Sequence, residues 1–240
     1  MLWDRNRILP VKALADRRRA LILWVSETTL PSAIAQACDL AAINVLVAKN
    51  FDICLSHVAA YKPDLVLQDI ALTGTWPDFI NHVAKQRVTP SLPVLDFVGE
   101  PNTFLNLGPK SNTAEALLTI KGLLRRERPC ALNDTRQVGE FSLDVASFKL
   151  FHATDWVGIS KADLCILGPF FDVPDIVFDR CSLARLVFGS TGMCYSSRTV
   201  DAQVSRMRRY VNAHLGMDPI RSVRGVGYAL ASDNFRSHFS

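Results

Sequence analysis

The chain has 240 residues, with 27 Lys and Arg against 23 Asp and Glu, a net charge of +4 at pH 7. Apolar residues make up 49% and charged residues 21%, enough for buried cores and too apolar for long disordered tracts. The length fits two ordinary domains, and so small an excess of charge does not by itself single out nucleic acid, so the distribution of charge matters more than its sum.

A basic N-terminal extension, residues 1–18, precedes the apolar run ALILWV at 20–25, which reads as a strand buried on both faces. An alternation follows: a helix near 31–41, strand INVLVA at 43–48, a helix near 52–61, strand DLVLQ at 64–68 and a helix near 77–86. Residues 93–98 and 104–107 make two more strands, and 112–126 is an amphipathic helix with Ala116, Leu117, Ile120, Leu123 and Leu124 on one side. Five strands with interleaved helices predict an α/β fold, a doubly wound five-stranded parallel sheet over residues 19–126.

The polar stretch 127–136, ERPCALNDTR, is the expected linker, and a second domain runs over 137–232 before a tail at 233–240. Strands at 138–143, 148–153 and 155–159 are spaced as a meander. Ser160 and Asp163 form a capping box with Asp in place of Glu, opening a helix that runs to Phe170 or Phe171. Asp179 is the N-cap of a second helix, which ends before Gly189, and a third starts near Ser197. In the closing IRSVRGVGYAL, residues Arg224 to Gly227 separate two extended runs. Strands, three helices and a hairpin are the layout of a winged helix-turn-helix domain.

Wound at 100° per residue, the third helix puts Val200, Val204, Met207 and Val211 in one narrow stripe facing the core. Its other side carries Arg198, Ala202, Ser205, Arg206 and Arg209. Small residues between arginines let a helix approach a groove floor while guanidinium groups reach phosphates or guanine edges. Residues 196–230 hold six arginines and no lysine against Asp201 and Asp218, so this segment alone matches the net charge of the chain.

Six cysteines, at 38, 54, 130, 165, 181 and 194, form no C-x-x-C pair and lack histidines at zinc-finger spacing. They read as reduced thiols packed like small apolar groups, with no metal and no cofactor. No apolar run reaches the roughly 20 residues that span a bilayer, and the N-terminus lacks a signal-peptide apolar region, so a cytoplasmic protein without membrane contact is expected. The five histidines are scattered, no G-x-S-x-G or P-loop occurs, and no enzyme activity is expected.

Residues 197–228 closely resemble the DNA-binding domains of OmpR/PhoB-type response regulators, with R-T-V-D, then V-x-R-M-R, then S-V-R-G-V-G-Y. The resemblance extends from Val138 to Leu230. It implies that Arg198 and Thr199 contact phosphates and that Gln203, Ser205, Arg206 and Arg208 face bases and phosphates in the major groove. Arg206 is the first choice for base readout, Arg209 adds charge, and Arg224 at the wing tip enters the minor groove. Asp201, near the helix N-terminus, pairs with nearby arginines and points away from DNA.

The same resemblance makes residues 19–126 a receiver-like domain with Asp69 at the phosphoacceptor position. Aspartyl phosphorylation needs Mg²⁺ held by further carboxylates. Here the acidic pair reads Ser26-Glu27, Val98 stands where a hydroxyl residue is expected, and Pro109-Lys110 reverses the usual K-P order. Only about 12 residues separate Val98 from Lys110, which predicts a shortened or missing fourth helix. The expectation is a degenerate receiver and a homodimeric, sequence-specific regulator of double-stranded DNA that acts independently of phosphorylation. Two alternatives stand beside it: a two-component regulator switched at Asp69, and an adaptor that binds RNA polymerase or another regulator.

Overall fold

The computed structural model describes residues 20–70, 92–98, 107–132, 135–188 and 197–231. The helix expected at 77–86, residues 99–106, where a shortened or missing fourth helix was expected, the two termini and Cys194 lie outside the described residues.

In the N-terminal half, β1 (Leu21–Val25), β2 (Asn44–Ala48), β3 (Leu65–Asp69) and β4 (Val94–Phe97) form a parallel sheet in the order β2-β1-β3-β4. Every residue of β1 is buried. Side chains alternate along a strand, so Ile22 and Trp24 enter one core with Ile34, Cys38, Ala116 and Ile120, while Leu23 and Val25 enter another with Cys54, Val58 and Val66. Helices α1 (Ser32–Leu40) and α3 (Thr113–Glu127) supply the first core, and α2 (Phe51–Tyr61) the second. Helices thus cover both faces, as a doubly wound sheet requires. Of the expected fifth strand, residues 104–106 are outside the described residues. Leu107 bridges Phe97 in parallel, accepting from Val98 N–H and donating to Asp96.

Helix α3 starts at a complete capping box, in which Asn112 accepts from Glu115 N–H and the Glu115 carboxylate accepts from Asn112 N–H. It runs on to Glu127, and after a 3₁₀ turn (Pro129–Ala131) the chain enters an antiparallel sheet. Four strands build this sheet, β5 (Thr135–Val138), β6 (Phe141–Asp144), β7 (Lys149–His152) and β8 (Asp155–Gly158), in sequential order. The expected strand at 138–143 is in fact the end of β5 and the start of β6, because Gly139 turns the chain at φ +59°. Helix α4 (Lys161–Asp172) begins at the Ser160/Asp163 box. After it come β9 (Phe178–Asp179), α5 (Arg180–Phe188), α6 (Ser197–Leu215) and the hairpin β10 (Ile220–Val223) and β11 (Gly227–Leu230). The two-residue β9, unforeseen from the sequence, pairs with β11 and makes the wing a three-stranded sheet.

Candidate nucleic-acid interface and the Asp69 site

Helix α6 has 19 residues and is therefore about 28 Å long. Val200, Val204, Met207 and Val211 are buried against the domain core, as the stripe predicts. Arg198, Thr199, Ala202, Ser205, Arg206 and Arg209 are exposed, and Gln203 and Arg208 are half-buried at the margins. One side of the helix is therefore a narrow basic face with small residues at its centre.

Two marginal residues and one central arginine are held by acids. Asp163, at the first turn of α4, is buried, and its Oδ1 accepts from Gln203 Nε2 at 3.1 Å and from Arg206 at 3.3 Å. Its Oδ2 accepts from the Ser160 hydroxyl and N–H. One carboxylate thus caps α4 and orients two side chains of α6. Arg206 keeps 57% of its side chain exposed, so this single contact leaves most of its guanidinium available. Arg208 is tied differently: Nε donates to Asp218 at 2.6 Å and Nη1 to the Ser222 hydroxyl at 3.0 Å, which turns it toward the wing.

A second cluster fixes the wing to the helix. Arg180 of α5 donates to Asp201 at 2.9 Å, and the Tyr228 hydroxyl of β11 donates to the same carboxylate oxygen. Burial, then the bond to Asp201, raises the Tyr228 pKa and keeps it a donor. Asp201 therefore pairs with an arginine, as expected, and the arginine is Arg180. At the wing tip Arg224 is exposed beside Gly225 at φ +76°, a left-handed conformation that favours glycine. A Cβ on Gly227 would lie 2.0 Å from the Phe178 carbonyl oxygen, so glycine there permits the β9–β11 pairing. Asp163, Arg180, Asp218 and Ser222 are the positioning residues that the sequence pattern did not reveal as such. Of their partnerships, only the Ser160/Asp163 box carried a local signal.

At the C-terminal edge of the parallel sheet, Asp69 ends β3 and accepts from the Ser26 hydroxyl at 2.9 Å. Ser26 is fully buried, and its oxygen accepts in turn from Thr28 N–H and lies 2.8 Å from the Thr28 hydroxyl. Thr28, Ser26 and Asp69 form a hydroxyl-to-carboxylate chain where a receiver would hold Mg²⁺. Glu27 and Lys110 are exposed. Val98, half-buried, offers only its backbone, with N–H donated to Leu107. These residues do not fit a Mg²⁺ site of the receiver kind, in which an adjacent acidic pair adds its oxygens to those of the aspartate: one member of that pair is here Ser26, hydrogen-bonded to Asp69. Among the described residues no three His, Cys, Asp or Glu side chains gather as a metal site. Nor is any described helix long and apolar enough to cross a membrane.

Residues 155–230 match the family model described as "Transcriptional regulatory protein, C terminal". The chain is similar to the phosphate regulon transcriptional regulatory protein PhoB of Escherichia coli (strain K12), 24% identical over 206 residues covering 77% of this chain and 86% of PhoB. It is also similar to the transcriptional regulatory protein GltR of Pseudomonas aeruginosa, 34% identical over 131 residues covering 52% and 53% of the two chains. Among solved structures it resembles the DNA-binding domain of Klebsiella pneumoniae RstA in complex with the RstA box, at 25% identity and TM-score 0.35, covering 41% of this chain and 97% of that one. PhoB and GltR are named as transcriptional regulatory proteins. The family match falls on the segment that carries the basic helix and the wing, and the PhoB similarity extends over both halves. Residues 155–230 thus match the C-terminal domain of transcriptional regulatory proteins, and over both halves the chain is similar to OmpR/PhoB-type response regulators.

Proposed function

We propose that this protein reads duplex DNA as a sequence-specific homodimer and does so without phosphorylation of Asp69. The observation that carries the second part is the Ser26–Asp69 hydrogen bond. A neutral hydroxyl stands where a second metal-binding carboxylate is needed, and it satisfies the aspartate. Phosphoryl transfer to a carboxylate is slow without a cation to neutralise the incoming charge. Val98 then offers no side-chain donor to a phosphoryl oxygen.

In this reading Arg206 and Ser205 read base edges, and Arg198, Thr199 and Arg209 hold phosphates. Gln203 shares the base-facing role, and Arg224 enters the minor groove beside the wing. Arg208, spent on Asp218 and Ser222, acts mainly by holding the wing against α6. The receiver-like domain covers residues 19–126 and the DNA-binding domain 137–232, with the break falling between the end of α3 at Glu127 and β5. The protein works in the cytoplasm and has no enzymatic activity.

The test is incubation with Mg²⁺ and a small-molecule phosphodonor, read by intact mass. No gain of one phosphoryl group at Asp69 is expected. Efficient labelling of wild type but not of Asp69→Asn would overturn this reading in favour of a conventional switch.

A further inference from the structure

Helix α3 belongs to the receiver-like half by chain order and packs on α1 through Ile120 and its neighbours. It carries Lys121 and Arg125 one helical turn apart, so the two cations share a face. Both are buried, at 0% and 1% side-chain exposure. Between them lies Asp172, the last residue of α4 in the winged helix. Its carboxylate is 2.6 Å from Lys121 Nζ and 2.6 Å from Arg125 Nη2, and is itself fully buried.

Three features mark this contact as built rather than incidental. An aspartate at a helix C-terminus opposes the helix dipole, so Asp172 gains nothing from its own helix and is compensated by the two cations of α3. Gly168, one turn earlier on α4, leaves room for the Arg125 guanidinium: a Cβ there would lie 2.4 Å from Arg125 Cζ. Around the charges the apolar cores of the two halves are continuous, with Gly122 of α3 facing Leu186 of α5. A further bond from Arg136 to the Leu40 carbonyl joins β5 to the end of α1.

Buried ion pairs contribute little net stability compared with apolar groups of the same volume, but they reject arrangements that leave a charge unpaired. We propose that Lys121, Asp172 and Arg125 form an orientation lock: they make the inner face of α3 a docking surface for this chain's own winged helix and hold the two halves as one DNA-competent body. The face of α3 that docks is thereby closed to any other partner, including the α3 of a second copy. The basic face of α6 stays exposed in the docked arrangement, because α3 lies on α4 and α5. Separation of the halves is therefore not a condition for binding DNA, a consequence that rests on the reading of α6 as the DNA-contacting helix.

The experiment compares amide hydrogen exchange of the full chain in wild type, Asp172→Asn and Gly168→Leu, with duplex binding measured in parallel on a fragment footprinted by wild type. Asp172→Asn removes the charge of the carboxylate that lies between the two buried cations, and Gly168→Leu expels the guanidinium without changing charge. Both are expected to raise exchange in α3 and α4 by tenfold or more while β1 stays protected, with duplex affinity within about threefold of wild type. Unchanged exchange in α3 and α4 would overturn the lock. Duplex binding more than tenfold tighter in the opened variants would also overturn it, since the docked arrangement would then be inhibitory. If both variants fail to fold, the apolar triple Lys121→Met, Arg125→Met, Asp172→Leu decides. Looser exchange at α3–α4 with both halves folded supports a lock made by charge, and wild-type exchange refutes it. The exchange arm involves no DNA, so its failure is distinguishable from failure of the DNA reading.

Discussion

Arg206→Ala separates readout from folding because the structure gives this side chain little to do in the fold. Its one described contact is a single 3.3 Å bond to Asp163 from a side chain that is 57% exposed. Ion pairs of that exposure are worth about 0 to 1 kcal/mol, so urea unfolding should shift by no more than that. Asp163 keeps its bonds from Ser160 and Gln203 when Arg206 is removed, so no buried carboxylate is left bare. A base-reading arginine, by contrast, contributes about 1 to 3 kcal/mol of discrimination, or roughly 5- to 150-fold. Equilibrium binding at one fixed salt concentration, on a footprinted fragment and on random duplex, measures the difference. The specific fragment should lose that factor while random duplex loses much less. Equal losses on both would refute base readout and reduce Arg206 to a phosphate contact.

Arg224→Ala should weaken binding most at sites with A·T-rich flanks, where a narrow minor groove concentrates negative potential; equal loss at G·C-rich flanks in the same titration would contradict the wing assignment. Asp179→Ala removes the carboxylate that accepts from Cys181 and Ser182 N–H at the start of α5, and chemical denaturation should show a loss of about 1 kcal/mol. Burial opposes its ionisation, but the Ser182 hydroxyl and the Ser182 and Cys181 amides outweigh burial and lower its pKa. The contribution is therefore present at neutral pH and lost as pH falls through the lowered value, so wild type and variant should converge in acid. Thiol alkylation of the native protein should modify the exposed Cys181 well before Cys38 and Cys54, whose pKa values burial pushes up to about 12; comparable rates at all three would contradict the packing.

The helical stripe of α6 was legible because four apolar residues recur at the helical period between exposed arginines, and the capping residues Ser160 and Asp179 use bonds that span only two or three residues. The parallel strands were legible from short apolar runs such as LILWV. What escaped notice depends on partners far away in the chain. Lys121 and Arg125 look like ordinary solvated charges on an amphipathic helix, and only folding brings Asp172, 47 residues after Arg125, between them. Arg208 and Arg206 look equivalent along α6, and the difference comes from Asp218 and Ser222 in the wing on one side and Asp163 in α4 on the other. The strand break at Gly139 was hidden because residues on both sides of it favour strands, and β9 is too short to leave a period. Near Asp69 the replacements by Ser26 and Val98 were visible as residue types, whereas the Ser26–Asp69 bond required the register of β1 against β3.

The DNA reading proposed for this chain does not depend on Asp69. Footprinting of unmodified wild type and Asp69→Asn on genomic fragments, with and without phosphodonor and Mg²⁺, tests it most directly. The same protected sites are expected at the same protein concentrations under all these conditions. Protection that appears only in wild type, and only with the phosphodonor, would contradict it.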